Sequence, residues 1–263
     1  MLAQRVASAA VGIPLVLLVV WAGGNWLVAV VSGAVLIALL EIEAARGHLL
    51  SPMSLLGGAL AAALPPAAHL GLDWMTWFGT GLVLLPMALL ALRQEPKQAV
   101  EDWLWVIGPA FYLGWLASHF VLLRDAPEGR DWLFLVIGAV WVTDTGAYSL
   151  GRAIGRRKLA PTISPGKTWE GAVGGQIAGM AAVFAFNALL GLDIEVGHRL
   201  ALGLLVPFAA QVGDLAESAL KRGLGVKDSS WLVPGHGGIA DRLDSLLFVA
   251  PVVYYYLTWI ISP

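Results

Sequence analysis

Long apolar stretches recur from one end of this 263-residue chain to the other, and they leave few folds open to it. A helix of about 20 apolar residues crosses a bilayer core roughly 30 Å thick. Core helices of water-soluble proteins keep a polar face at the helical period, and most of these stretches lack one. Hydrocarbon offers no partner to a backbone N–H or C=O, so spanning segments must satisfy those groups internally, as helices do. Nine spans follow, at 6–22, 26–45, 53–71, 74–92, 103–123, 132–151, 169–192, 199–220 and 244–261. The expected fold is all-α, a polytopic integral membrane bundle of about nine transmembrane helices.

Composition agrees, with 58% hydrophobic and 13% charged residues. There is no cysteine, which excludes disulfides, thiolate catalysis and Cys-type zinc sites. Arg5 precedes the first apolar run as in a signal peptide, yet the many spans behind it favour an uncleaved first helix. Tryptophans 21, 26, 74, 77, 103, 132 and 259 lie near span ends, where an interfacial belt places them. Gly171, Gly175 and Gly179 repeat at the spacing that lets a second helix approach closely. Packing inside the bundle is the favoured use of that face, and a homodimer seam is the alternative. Residues 1–130 form an N-terminal region of five spans, and 131–263 a C-terminal region carrying the site.

Basic residues set the orientation. With the N-terminus inside, 13 of the 16 Lys and Arg fall in inner segments and Arg124, Arg130 and Arg199 outside. The C-terminus then lies outside. The glycine-rich basic segments 152–168 and 221–243 both face the cytoplasm, with Asp144, Glu170, Asp214, Glu217, Asp241 and Asp244 near the adjoining helix ends.

An ionised carboxylate near the centre of a membrane helix costs about 2.5–3.5 kcal/mol, so Asp214 needs a partner. Lys221, an arginine of another helix or a metal would serve. Asp214, Ser218 and Lys221 share one helix face, with Glu217 beside them. A purely structural buried salt bridge is the competing reading. In the next segment, glycines 235, 237 and 238 let backbone N–H groups close on an anion. Asp241 and Asp244 stand at a helix start, where acids cap and complement the dipole. Metal ligation is favoured for Asp241, whereas Asp244 divides evenly between the two roles. His236 is either a phosphate contact or a structural loop histidine. Oxygen ligands without cysteine point to Mg²⁺ rather than zinc.

Residues 161–168 imitate a phosphate-binding loop of the form GxxxxGK[ST], with proline for the first glycine. No preceding strand is expected, so that reading fails its context. A positive-inside signal accounts for Arg156 and Arg157, but not for the turn at Ser164, Lys167 and Thr168. Asp144, flanked by Thr143, Thr145 and Tyr148, reads as a substrate contact.

Taken together, Ser218-x-x-Lys221-Arg222, Lys227-Asp228 and His236-Gly-Gly-x-x-Asp241-Arg242-x-Asp244 resemble the signature of phosphatidate cytidylyltransferases, or CDP-diacylglycerol synthases. Thr143-Asp-Thr-Gly-Ala-Tyr148, the block from Leu159 to Gly171, and Gly213-Asp-Leu-x-Glu-Ser218 resemble the same family. The likeness covers the C-terminal half; the first five spans match only in being hydrophobic. It implies a CTP- and Mg²⁺-dependent nucleotidyltransferase, with room for a second cation, that converts phosphatidate to CDP-diacylglycerol and pyrophosphate. It implies Asp214 and Asp241 on the metal, with Asp244 ligating or beside it. Lys221, Arg222 and Lys227 would hold CTP phosphates or the leaving pyrophosphate, with Asp228 and His236 also in the catalytic set. Asp144, Ser164, Lys167, Glu170, Ser218 and Arg242 would bind substrate. A bacterial inner membrane, a cytoplasmic site and no nucleic-acid partner complete the expectation. A transporter is the main rival, against which stand the one-sided charge and the lack of an inverted repeat.

Overall fold

A computed structural model describes residues 2–49, 51–91, 95–232 and 237–261, with the side chains of 2–7 and of Pro96 outside the description. Helices account for nearly all of it. They are α1 (Leu2–Ala22), α2 (Gly24–Arg46), α3 (Pro52–Leu70), α4 (Leu72–Leu90), α5 (Pro96–Ala110), α6 (Leu116–Asp125), α7 (Gly129–Ile154), α8 (Trp169–Leu190), α9 (Val196–Gly223) and α10 (Ala240–Tyr256). Among the described residues, eight helical segments are long and apolar enough to cross a membrane, and α1 adds a shorter apolar helix, Ser8–Ala22. The chain is an all-α polytopic membrane protein.

Two features depart from the expected pattern. The fifth span is longer than foreseen, running Lys97–Asp125. Its middle is a π-helical turn, Phe111–Trp115, between α5 and α6. Pro109 lies just upstream of that turn. It has no N–H to give the helical ladder, and a wide turn is one way to absorb the fault. The second departure is a β-hairpin in the segment 152–168. Strand β1 (Lys158–Ala160) runs antiparallel to β2 (Ser164–Thr168). Lys158 stands opposite Thr168 and Ala160 opposite Ser164, with a register shift between the pairs. A strand therefore does precede Pro161. The phosphate-loop reading fails for a different reason: its second half is itself extended and paired, so no loop curls around an anion.

The chain divides into two compact units, Met1–Asp125 with Asp228–Arg242, and Ala126–Lys227 with Leu243–Pro263. In the first unit α2, α4, α5 and α6 all contact α3. Close approach there depends on small residues. A Cβ on Gly114 would lie 2.7 Å from the Ala61 carbonyl oxygen. Glu43 of α2, 1% exposed, is neutralised in place by Arg46 Nη1, 2.9 and 3.0 Å from its two oxygens. Ser54 Oγ donates to it, and the Arg46 guanidinium lies 4.2 Å from the Trp105 ring centre. A buried carboxylate with a cation and a hydroxyl avoids the cost of an unpaired charge.

In the second unit α7 and α8 lie against each other with almost no side chain between them. A Cβ on Gly171 would be 2.8 Å from the Ala147 carbonyl oxygen, and one on Gly175 would be 2.9 Å from the Ala147 Cβ. At Gly179 it would strike Thr143 Oγ1 of α7 and lie 2.6 Å from the Pro207 Cβ of α9. The glycine face is thus filled inside this unit. That contact fixes where α7, α8 and α9 present their polar ends.

Candidate active site

The hairpin is joined to α8 by the alternation of its last strand. Thr168, 6% exposed, turns inward and caps α8: its Oγ1 accepts from the Gly171 N–H at 3.1 Å. One residue earlier the strand presents the opposite side, as the two-residue period requires. There Lys167 Nζ meets Asp214 Oδ2 of α9 at 2.7 Å, with side chains 25% and 33% exposed. Glu170, in the first turn of α8, accepts backbone N–H bonds from Arg156 at 3.1 Å and Arg157 at 3.2 Å. The side chains of Arg156, Arg157 and Lys158 are exposed where the chain leaves α7 and enters β1.

The C-terminal end of α9 is fastened to the same hairpin. Arg222 Nε donates to the Ile163 carbonyl at 3.2 Å, and Nη1 to the Val226 carbonyl at 3.0 Å. Lys221 pairs with Glu217 at 2.6 Å, one turn back on the helix. Glu217 is 2% exposed, so this pair is a buried neutralisation. Asp214 therefore finds its cation in Lys167, not in the helical neighbour Lys221. Beside it, Gly213 lets α10 come close: a Cβ there would be 2.6 Å from the Asp244 carbonyl oxygen. Asp244 is half-buried, and its Oδ1 accepts from the Ser245 N–H at 2.6 Å.

Within the second unit, then, Lys167, Asp214 and Arg222 are drawn together by the hairpin. Ser164 and Ser218 are half-buried, and Lys227 is exposed. Asp144 is exposed on α7. Its neighbours are turned to other duties: the Thr143 and Thr145 hydroxyls donate to the Ala139 and Trp141 carbonyls, and Arg152 donates to the Tyr148 hydroxyl. Glu170, expected as a substrate contact, is engaged in holding the chain that enters the hairpin.

In the first unit, the residues before and after 231–237 form a second polar group. Asp241, 5% exposed, receives three bonds on Oδ2: the Ser229 N–H at 3.0 Å, the Ser229 hydroxyl at 2.8 Å and the Gly238 N–H at 2.7 Å. Gly237 has φ +82°, the left-handed region that favours glycine. Arg242 is exposed and Asp228 half-buried. His236 lies outside the described residues. Sequence reasoning missed Glu41 of α2, whose carboxylate meets the serines and backbone of this segment. Its only signal was a charge at the end of an apolar run.

Among the described residues no three His, Asp or Glu side chains assemble as a metal cage. What the second unit offers is a half-exposed carboxylate, an ammonium beside it, a guanidinium fixed by carbonyls and several exposed cations. Such a group suits polyanions that arrive with their own cation, because Mg²⁺ is commonly held by one or two carboxylates plus substrate phosphates.

The model of the cytidylyltransferase family matches residues 3–260. The phosphatidate cytidylyltransferase of Bacillus subtilis (strain 168) is 42% identical over 149 residues, 56% of this chain and 55% of its own. That of Brucella suis biovar 1 is 43% identical over 153 residues, 58% and 56% of the two chains. That of Haemophilus influenzae is 37% identical over 205 residues, 71% and 67%. The chain thus spans little more than half the length of the first two relatives.

Proposed function

Since the chain belongs to the cytidylyltransferase family, which it matches over residues 3–260, we propose that it transfers the cytidylyl group of CTP to phosphatidate. The products are CDP-diacylglycerol and pyrophosphate. The observation that carries this reading is the Lys167–Asp214 pair at 2.7 Å, set where the hairpin and the end of α9 meet. Relatives bearing the name of this activity support it.

A phosphate oxygen of phosphatidate attacks the α-phosphorus of CTP. The new P–O bond joins lipid and nucleotide, and the bond from the α-phosphorus to the β-phosphate bridging oxygen breaks. Its electron pair leaves with pyrophosphate. The attacking phosphate is already ionised near neutral pH, so no strong general base is required. Positioning and charge compensation carry the catalysis. Lys167 and Arg222 supply cationic donors on rigid supports, one on a strand and one anchored to the Ile163 carbonyl. Lys227 and the cluster Arg156, Arg157 and Lys158 draw polyanions to the site. Lys221 is paired with Glu217 at 2.6 Å.

Mg²⁺ belongs to this proposal, held by Asp214 and the substrate phosphates. Bound there, it would offset the charge that makes two polyanions repel. The Oδ2 of Asp241, the other carboxylate expected on the metal, accepts three bonds from residues 229 and 238. That is the arrangement of a carboxylate that shapes backbone. The site faces the cytoplasm of a bacterial inner membrane, with the N-terminus inside, a placement supported by the asymmetry of Lys and Arg. Acyl chains stay in the bilayer and enter between helices.

The test is purified protein in liposomes containing phosphatidate, supplied with labelled CTP with and without Mg²⁺. The expected result is Mg²⁺-dependent label in the lipid phase with one pyrophosphate released per label. Label confined to water, alongside solute flux that needs no CTP, would reject the reading in favour of a transporter.

A further inference from the structure

Glu41 lies at the end of an apolar helix, is 7% exposed and forms no ion pair among the described residues. Both its oxygens are nonetheless fully engaged. Oε1 accepts the Ser230 hydroxyl at 2.6 Å and the Ile239 N–H at 3.0 Å. Oε2 accepts the Ser229 hydroxyl at 3.1 Å and the Ala240 N–H at 3.0 Å. Each oxygen therefore bonds one residue before 231–237 and one after it. Ile239 immediately precedes α10 and Ala240 opens it; the first N–H groups of a helix have no helical partner, and its N-terminal dipole favours an anion. Gly238 shows how closely the carboxylate approaches, since a Cβ there would strike both Ser229 Oγ and Glu41 Oε2.

We propose that Glu41 is a positioning residue for nucleotidyl transfer: it clasps residues 229–230 to residues 239–240 and thereby sets Asp241 and Arg242 at the head of α10. This rests on the function proposed above, under which the segment from Asp228 to Asp244 serves catalysis. The donor set requires a carboxylate. Glutamine has one acceptor oxygen and would aim its NH₂ at a backbone N–H, while aspartate is too short to reach from α2. Asp241 closes the same clasp from inside the segment through Ser229 and Gly238, so the two carboxylates act on one piece of backbone.

Glu41→Gln in the full-length protein tests this through three readings. Hydrogen bonds to a charged group are strong enough that kcat should fall about ten- to a hundredfold. The KM for phosphatidate should hold, and trypsin should cut after Lys227 or Arg242 faster than in the parent protein. Ser230→Ala, which removes one hydroxyl without touching α2, should shift both in the same direction by less. Combined with Glu41→Gln it should add little, as partners in one network do. Parental kcat with parental cleavage would overturn the proposal. So would a loss of activity that merely tracks a loss of folded protein. If the parent protein fails to label lipid from CTP, the reaction is wrong, and the cleavage rates still decide the clasp.

Discussion

Lys167→Met asks whether the pair at the centre of the site serves stability or chemistry. Lys167 Nζ and Asp214 Oδ2 are 2.7 Å apart, with both side chains a quarter to a third exposed. At an effective dielectric near 20, that separation corresponds to about 6 kcal/mol of bare attraction. Desolvation and side-chain entropy cancel most of it, and exposed pairs measure roughly 0.2–1 kcal/mol. Methionine keeps much of the aliphatic stem, so packing on the hairpin survives. The stability loss should be about 1 kcal/mol, a fall in Tm of roughly 2–4 °C for a chain of this size. Removing a fixed donor from a developing phosphoryl charge is a different order of effect, about 10²–10³ in kcat.

Those two magnitudes separate the explanations. The assay is label transfer to lipid in liposomes, run beside thermal unfolding in detergent on the same preparation. A fall of about 10²-fold or more in kcat with Tm nearly held is expected. A change under about threefold would refute the assignment of Lys167 to phosphate, because an uncharged thioether cannot replace an ammonium there. Rate and Tm falling together would make the pair structural.

Two further perturbations probe the scaffold that places this pair. Gly179→Ala should destabilise by about 1–3 kcal/mol, as overpacking does, since its Cβ would strike Thr143 Oγ1 and crowd Pro207. Thermal unfolding checks it against Gly197→Ala, a helical position with nothing within 4 Å, which should be neutral or slightly stabilising. Thr168→Ala removes the α8 cap and should cost about 0.5–2 kcal/mol; Thr168→Ser should restore most of it, read by the same unfolding measurement.

The helices were legible because the bilayer permits so little else. Each apolar run had to be a helix or nothing, and proline inside α3, α4 and α9 did not prevent it. The hairpin was not legible. Lys158–Ala160 is too short to show alternation, and Ser164–Thr168 carries Pro165 and Gly166, which argue against a strand. It exists because Glu170 gathers the backbone of Arg156 and Arg157, and Arg222 takes the Ile163 carbonyl. At the site, the need for a partner at Asp214 could be read from the cost of a charge in a helix. Which cation supplied it could not, because Lys167 reaches α9 only through a strand the sequence conceals. Glu41 was harder still. Its partners are serine hydroxyls and backbone N–H groups, and backbone donors leave no trace in a sequence.

The chemistry of the partners divides the acidic residues by what an arriving polyanion does to them. Glu41 and Asp241 accept from hydroxyls and backbone N–H groups. Those donors are neutral and already turned onto carboxylates. Asp214 is held instead by an ammonium, on a side chain 25% exposed whose nitrogen is itself covered. Under the proposed reaction, a phosphate of greater charge would compete for that ammonium, and the displaced carboxylate would face the cation that the substrate brings. The Lys167–Asp214 pair is then the one that exchanges partners. Asp214→Asn should then impair turnover far more than folding, because asparagine still accepts from Lys167 but, being neutral, holds a divalent cation much more weakly. An Asp214→Asn enzyme with unaltered kcat and unaltered Mg²⁺ dependence would refute the exchange.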